Sequence, residues 1–538
     1  MGHLPHLVTM LVTMLLFGGS TLACSAFRAP MTPPEKGGPP WIELTSAHFV
    51  LKTDVDRHTA RKLVAELERS HAVLAHALRR PPRERETTVE VVVFERDVDF
   101  TETAAQSTAG AFFSAHLAVD MEPQPIIVMH DSELAAETRL TVQHELSHRF
   151  LHERFASLPR WLDEGLAQYY ASARVANGRL ILGSATSSDF SERPYPWLAW
   201  KDGFEQSEIP LHWAPTLRQL VEADREDFFP VGGDDGPSNK QQERQHAMYA
   251  GAWRLVHLLS NGPVPTYRDR FAAFLDDLQR GARPRDAFLE RYGADWKALD
   301  VAYRDYLKVE QLRVIVTEPP PLGSTTAPSE RDLPARDVHL LWARVLPWSK
   351  NKLSRVRQEL DAALSIDRQA PEVLLRSAML AMRQKDFDLA KVELDAALAA
   401  APNDPRTLFG QLLLHDVRAA AAGAPAPPDD AALATTVERL SRCATSASQL
   451  DALAWRRLER GRVDDALAFS ERALRADPLC WGCQDTYAMI LLQRGKVDEA
   501  LAASDRALAL APERASISGL LDHRRRIEKA RTGRATPR

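Results

Sequence analysis

Three scarcities limit what this chain can be. Only four cysteines occur among 538 residues, which excludes a disulfide-rich scaffold, because such scaffolds place several bridges in a short chain. Beyond the N-terminus, no apolar run approaches the roughly 20 residues that cross a bilayer. Neither charge dominates, since 68 basic and 73 acidic residues leave a formal charge of −5. A nucleic-acid partner is therefore not expected, because phosphates require a positive surface.

The N-terminus has the pattern of an export signal. Leu7 to Gly18 is apolar and too short to span a bilayer comfortably. The following Thr21-Leu22-Ala23-Cys24 resembles a bacterial lipoprotein processing site, although a leucine is usual where Thr21 stands. Cys24 is thus a candidate lipidation site, and a cleaved soluble form and an uncleaved form stay open as alternatives. We expect a cell-envelope protein (periplasm or outer membrane) that contacts the membrane only through this possible lipid anchor.

Composition divides the remainder of this long chain into segments, since its length exceeds one hydrophobic core. We expect a signal segment at 1–24, a flexible Pro- and Gly-rich tether at 25–40, a domain of strands and helices at 41–310, a linker rich in Pro, Ser and Thr at 311–337, a repeat domain at 338–522 and a basic tail at 523–538. Apolar periodicity in the domain at 41–310 predicts strands at 42–52, 88–94, 111–113 and 126–129, and helices at 60–78, 132–155 and from 160 onward.

A repeat of 34 residues determines the fold of the C-terminal region. Gly461-Arg462-Val463-Asp464-Asp465-Ala466-Leu467 recurs 34 residues later as Gly495-Lys496-Val497-Asp498-Glu499-Ala500-Leu501. Small residues and prolines recur at one spacing, as in tetratricopeptide repeats, where alanines let paired helices approach closely. This period predicts an all-α solenoid that binds a substrate or an unidentified partner protein.

The motif His144-Glu145-Leu146-Ser147-His148 carries the predicted chemistry. On a helix, residues i and i+4 lie on one face, so both imidazoles can bind one zinc ion. Glu145 is rotated about 100° from His144. It is therefore the candidate general base, which accepts a proton from the attacking water rather than binding the metal.

A third zinc ligand is expected on the next helix. Glu164 follows His148 by 16 residues, after a turn at Leu158-Pro159, and Gly165 permits close helix contact. Asp163 is the competing ligand, because only one of two neighbours can point at the metal. A first-turn glutamate that complements the helix dipole is the structural alternative for Glu164.

Gln143–His148, together with Pro159-Arg160-Trp161-Leu162-Asp163-Glu164-Gly165-Leu166-Ala167, resembles the peptidase MA-like family. These are gluzincins, HExxH proteases whose third zinc ligand is a glutamate. The resemblance covers residues 41–309 and implies an α+β thermolysin-like catalytic domain with a small sheet and a helical lobe. It also implies the ligands His144, His148 and Glu164 and the base Glu145.

Related zinc proteases use a Tyr or His of the helical lobe to stabilise the oxyanion. His246, Tyr249, Trp253 and His257 share one face of a predicted helix, and Tyr249 best matches the family pattern. His246 is the other candidate donor. An aromatic stripe packed into the core is an equally good interpretation.

Cys480-Trp481-Gly482-Cys483 has the spacing of a redox or metal motif, but no second such pair accompanies it. Two cysteines at a helix start, disulfide-bonded after export, are the simpler interpretation. The sequence as a whole predicts an exported zinc peptidase that acts on proteins or peptides. The alternative is a catalytically silent envelope scaffold that works through its repeats.

Overall fold

The computed structural model describes most of the chain in thirteen stretches. They are residues 28–79, 88–103, 111–114, 126–130, 137–155, 158–184, 214–223, 225–228, 239–280, 282–321, 327–423, 431–511 and 518–534. The predicted signal segment and Cys24 lie outside them. Within them, no helix is long and apolar enough to span a membrane.

Nine strands and 21 helices are described, besides a 3-10 turn at Pro34–Lys36. The strands are β1 (Trp41–Thr45), β2 (Phe49–Thr53), β3 (Val89–Phe94), β4 (Ala111–Ser114), β5 (Ile126–His130), β6 (Arg174–Ala176), β7 (Arg179–Leu182), β8 (Ile315–Thr317) and β9 (Ser329–Leu333). The helices before β8 are α1 (Arg57–Ala77), α2 (Asp97–Thr103), α3 (Glu137–Arg154), α4 (Arg160–Ala171), α5 (Leu217–Val221), α6 (Arg225–Phe228), α7 (Asn239–Asn261), α8 (Pro265–Gln279), α9 (Pro284–Tyr292) and α10 (Trp296–Leu307). Those after β9 are α11 (Ala335–Val345), α12 (Leu353–Ile366), α13 (Pro371–Arg383), α14 (Phe387–Ala400), α15 (Pro405–Ala421), α16 (Ala431–Cys443), α17 (Ala447–Glu459), α18 (Val463–Ala476), α19 (Trp481–Gln493), α20 (Val497–Leu510) and α21 (Ser518–Arg534).

A mixed sheet with strand order β4-β5-β3-β2-β1-β9 forms the centre of the N-terminal region. β3 pairs in parallel with both of its neighbours, β2 and β5. Its side chains alternate between two cores, because successive strand residues point to opposite faces. Val91 and Val93 join the core formed with α1, α3 and α4. Val92 and Phe94 join the core formed with α11, α12 and α13. Burial on both faces explains why β3 is an almost continuous apolar run.

The single strand predicted at 42–52 is wrong, because the chain turns back there to form the antiparallel hairpin β1–β2. No Gly or Pro marks the turn. Glu68 of α1 holds it instead, since its carboxylate accepts hydrogen bonds from Ser46 Oγ at 2.6 Å and from the backbone N–H of His48 at 2.9 Å. A contact so distant in the sequence gives no local signal.

The segment predicted as a linker, 311–337, contributes a strand to each of two sheets. β9 forms the outer edge of the large sheet beside β1, and Arg331 pairs with Glu43 at 2.7 Å. β8 joins β6 and β7 in a small antiparallel sheet. The prediction of a linker is therefore corrected, because backbone pairing with distant strands orders the described parts of this segment.

The predicted tether and the predicted basic tail are both ordered where the structure describes them. In the predicted tether, Met31 is buried and Glu35 lies 2.8 Å from His339 of α11. In the predicted basic tail, α21 continues to Arg534, Ile527 is buried, and His523 Nδ1 lies 2.7 Å from Asp485. Both corrections have one physical reason, since each segment packs on the helical repeats.

The C-terminal region is a series of tetratricopeptide-like helical repeats. α13 and α15 begin at residues 371 and 405, 34 residues apart, and α17 and α19 begin at 447 and 481, again 34 apart. The predicted small-residue positions are fully buried: Ala390, Ala397, Ala466, Ala473, Ala500 and Ala507. The repeat and the all-α architecture of this region are thus confirmed.

Candidate metal centre

Two consecutive helices carry the predicted ligands. α3 presents His144 and His148 one helical turn apart, and their Nε2 atoms lie 3.1 Å from each other. Pro159 ends the connection and stands at the N-cap of α4. Proline lacks a backbone N–H, so a helix cannot easily run through this position. α4 therefore starts afresh and brings Glu164 to the two histidines.

The three predicted ligand atoms converge. Glu164 Oε2 lies 3.6 Å from His144 Nε2 and 3.4 Å from His148 Nε2. A tetrahedral zinc ion with bonds of about 2.0–2.1 Å holds its ligand atoms roughly 3.3–3.4 Å apart. The triangle therefore has the size that zinc requires. The side chains are largely withdrawn from water, with relative exposures of 7% for His144, 17% for His148 and 4% for Glu164.

Asp163, the competing ligand, contacts the far side of His148. Its Oδ1 lies 2.9 Å from His148 Nδ1, and its Oδ2 lies 2.9 Å from His152 Nε2. When Nδ1 donates a hydrogen to this carboxylate, the lone pair of His148 is on Nε2, where Glu164 and His144 converge. A carboxylate behind a ligating histidine is the usual arrangement at zinc sites, because it fixes the tautomer and the ring orientation.

His152 was missed in the sequence interpretation. It follows His148 by four residues on α3 and so lies on the same helix face, which is the signal that could have identified it. His148, His152 and Asp163 form a second group whose ligand atoms lie close together. Since Asp163 already spans both imidazoles with hydrogen bonds, we interpret this group as the support of the first.

Burial and ion pairing have opposite effects on these side chains. Burial alone raises the pKa of Glu164, but attraction to His148 and hydrogen bonds with both histidines lower it to about 2. Burial lowers the pKa of His148, whereas Asp163 and Glu164 raise it well above its ordinary value. The pocket thus favours a positive charge between its two carboxylates. A metal cation held by His144, His148 and Glu164 would supply a positive charge beside Glu164.

Glu145 is not part of the ligand triangle. Among the described residues, the converging group consists of His144, His148 and Glu164 and does not include Glu145. Burial raises the pKa of Glu145, an effect that His144 and His148 oppose. A partly buried carboxylate beside the ligands, without being one of them, is where a general base is needed.

Tyr249 lies on α7, the helix that packs most closely on α4. The close approach expected at Gly165 is made with this helix, because a Cβ at Gly165 would lie 2.6 Å from the carbonyl oxygen of Ala252. Tyr249 precedes Ala252 by three residues, about one helical turn. Its half-buried ring packs edge-on against Phe228 at 5.6 Å between centroids. The structure therefore places Tyr249 on the helix beside Glu164.

The C-terminal half of the aromatic stripe on α7 belongs to the core. His257 is fully buried, with Nδ1 2.7 Å from Tyr306 Oη and Nε2 3.0 Å from the carbonyl oxygen of Gly183. Burial lowers its pKa to about 4. Trp253 is 8% exposed and packs beside His257. His246 is half-buried near the start of the stripe. The packing interpretation therefore holds for Trp253 and His257.

The two cysteines of the Cys480–Cys483 pair are joined in a disulfide at the start of α19. Cys480 is the N-cap residue of this helix, and its sulfur accepts a hydrogen bond from the backbone N–H of Cys483. Cys443, at the end of α16, is a free, half-buried thiol. The simpler interpretation of the pair, two bonded cysteines at a helix start, agrees with this geometry.

Fold and site together define a class: an α+β region with an HExxH helix, followed by tetratricopeptide-like repeats. Among protein families, a model described as "Protein of unknown function (DUF1570)" matches residues 139–195. The match contains His144, His148 and Glu164 and assigns them no activity. No curated protein matches the chain.

Several solved structures are similar to the chain at low identity. A thermophilic TPR protein of Thermus thermophilus is 18% identical over 37% of this chain and 99% of its own, with a TM-score of 0.29. PilF of Pseudomonas aeruginosa is 17% identical over 37% of this chain and 86% of its own, also with a TM-score of 0.29. Yeast Tom70 is 12% identical over 61% of this chain and 72% of its own, with a TM-score of 0.25. The repeat assignment rests on the helices and their 34-residue period.

Proposed function

We propose that the chain is a zinc-dependent peptidase of the bacterial cell envelope, whose repeats bind the substrate or a partner protein. The convergence of His144 Nε2, His148 Nε2 and Glu164 Oε2 supports this proposal above all, because its dimensions suit a tetrahedral zinc ion. One imidazole pair from an HExxH helix and one glutamate from the next helix also leave a fourth position open for a reactant. The gluzincin resemblance supports the same ligand set.

Each side chain of the site then has a role. His144, His148 and Glu164 would hold the zinc, which supplies Lewis-acid chemistry to the attacking water and the scissile carbonyl. Glu145 accepts the proton of the water and passes it to the leaving amine. Asp163 keeps His148 in the ligating tautomer. Tyr249 of α7 donates a hydrogen bond to the oxygen that becomes negative, with His246 as the other candidate donor.

Two observations support the location and the partners. The Cys480–Cys483 disulfide suits an oxidising compartment outside the cytoplasm. Helical repeats of this kind present long surfaces to peptides and proteins, so the substrate class is a protein or peptide. We further propose that Cys24 is lipidated. Cell fractionation with Cys24→Ser tests this, since loss of the acyl chains should release the chain from the membrane.

The decisive experiment measures zinc content and casein hydrolysis on the purified full-length chain. We expect about one zinc per chain, held by the three ligands. Glu145→Gln keeps size and helix propensity and removes the base, so zinc should stay while turnover falls by roughly 10²-fold or more. Glu290→Gln, the same change at an exposed position of α9, is the matched control.

The outcomes separate the two candidate functions. Zinc binding with turnover that depends on Glu145 supports the peptidase. The peptidase proposal is contradicted if the chain binds no zinc after reloading. It is also contradicted if the Glu145→Gln variant hydrolyses casein as fast as the unaltered chain. The observed helical repeats favour the second candidate, a scaffold protein, in that case. Such a scaffold would act through its repeats alone.

A further inference from the structure

The last complete repeat touches the zinc-site helix directly. Arg506 of α20 donates hydrogen bonds to two backbone carbonyl oxygens, those of Phe155 and, at 3.1 Å, His152. The carbonyl of His152 belongs to the last turn of α3, which ends at Arg154, and the carbonyl of Phe155 follows it directly. The two sides of this contact are separated by more than 350 positions in the sequence.

The contact is chemically specific. The last carbonyl groups of a helix have no partner within the helix, and the end carries a partial negative charge, so a cation is favoured there. A guanidinium group can bind two such oxygens at once. Arg506 is half-buried, and burial lowers its pKa. In the described part of the chain it forms no ion pair with a carboxylate, so the end of α3 supplies its electrostatic compensation.

Side-chain hydrogen bonds link the residue that Arg506 contacts to a predicted zinc ligand. His152, whose carbonyl Arg506 binds, uses its side chain to contact Asp163 at 2.9 Å. Asp163 contacts His148 Nδ1, also at 2.9 Å. The carboxylate of Asp163 is 3% exposed, so water competes little for these bonds. Two side-chain contacts therefore link His148 to the last turn of α3.

We propose that Arg506 is a positioning residue for the metal centre. From the repeat domain, Arg506 fixes the last turn of α3, and it acts on His148 through His152 and Asp163. This inference rests on the proposed function in one respect, that a metal binds at His148. The repeats are then a structural part of the centre besides being a binding surface. Anything that displaces α20 also displaces the support of a zinc ligand.

Three variants of the full-length chain test the proposal. Arg506→Met removes the guanidinium and keeps the aliphatic length, and Arg506→Lys keeps the charge but not the two-pronged geometry. Arg475→Met, at an exposed position of α18, is the control with the same loss of charge. Two measurements apply to each variant: amide hydrogen exchange at residues 150–155 without metal, and the zinc dissociation constant from competition with a chelator.

Arg506→Met should accelerate amide exchange at the end of α3 and weaken zinc binding by about 3- to 10-fold, less than the loss expected for a direct histidine partner. Arg506→Lys should change the exchange rate and the zinc affinity less than Arg506→Met does. Arg475→Met should change neither quantity. Zinc affinity and exchange equal to the control, even with a lower melting temperature, would overturn the positioning role. If the unaltered chain binds no zinc, the proposed function fails instead, and the exchange measurement alone shows whether Arg506 holds α3.

Discussion

Asp163 and His148 face each other across a 2.9 Å contact between Oδ1 and Nδ1, on the side of the imidazole opposite Glu164. Neighbours in the sequence thus have different tasks, because Glu164 points into the ligand triangle and Asp163 points behind it. Adjacent positions on a helix are about 100° apart, so the two carboxylates reach opposite ring nitrogens of His148. The two carboxylates place His148 between them.

Asp163→Asn should weaken zinc binding by about 10- to 100-fold, the usual consequence of losing the partner of a ligating histidine. Asparagine keeps the shape but lacks the charge that holds two imidazoles. The zinc dissociation constant measures this effect. Asp305→Asn, an exposed position of α10, is the control. An unchanged constant for Asp163→Asn would show that the ring needs no support.

Tyr249→Phe should lower kcat by roughly 10- to 10³-fold with little effect on KM, if the hydroxyl stabilises the developing oxyanion. The ring stays against Phe228, so the melting temperature should change little. Steady-state kinetics and thermal unfolding of the same preparation decide the matter. A large fall in melting temperature with normal kcat would support a packing role for Tyr249. His246, the other candidate donor, would then be substituted and measured in the same way.

Gly165→Ala should destabilise the chain by about 1–3 kcal/mol, because the new Cβ would stand 2.6 Å from Ala252 O and 2.8 Å from Val256 Cγ2. α4 must move away from α7, which also displaces Glu164. Chemical denaturation gives the free energy of unfolding. The control is Gly519→Ala in α21, where a Cβ meets no atom within 4 Å. Equal stabilities for the two variants would contradict the tight packing.

Glu68→Gln should reduce the free energy of unfolding by about 2–3 kcal/mol at neutral pH. Burial alone raises the pKa of Glu68, but hydrogen bonds from His48 and Ser46 lower it from 4.5 to about 2. A lowered folded-state pKa stabilises the fold above the unfolded value and loses that effect as the pH falls. The difference between variant and parent should therefore shrink between about pH 4.5 and pH 2.

Glu66→Gln on the same helix is the control, since Glu66 pairs with Arg69 near the surface. Denaturant titrations of the three chains at several pH values measure the effect. A pH-independent difference for Glu68→Gln would mean that shape, not charge, holds the β1–β2 turn.

Features that depend on local spacing were predictable, and features that depend on distant partners were not. The 34-residue period identified the helical repeats, and four-residue spacing put His144 and His148 on one face. Asp163 stayed ambiguous because the rotation of α4 against α3 is set by packing. Arg506 gave no signal, because its partners are backbone carbonyls far along the chain. The β1–β2 turn and β9 were not predicted for the same reason, because distant residues hold them in place.

The pairing of β1 with β9 joins the first described strand to one translated long after it, since Trp41 stands opposite Leu333. A fragment that ends before β9 leaves β1 as an unprotected edge, which invites pairing with other chains. It also strips the cover from Val92 and Phe94, which α11 to α13 bury. A shortened chain meant to isolate the candidate metal centre must therefore continue through α13, well beyond the border that composition suggests.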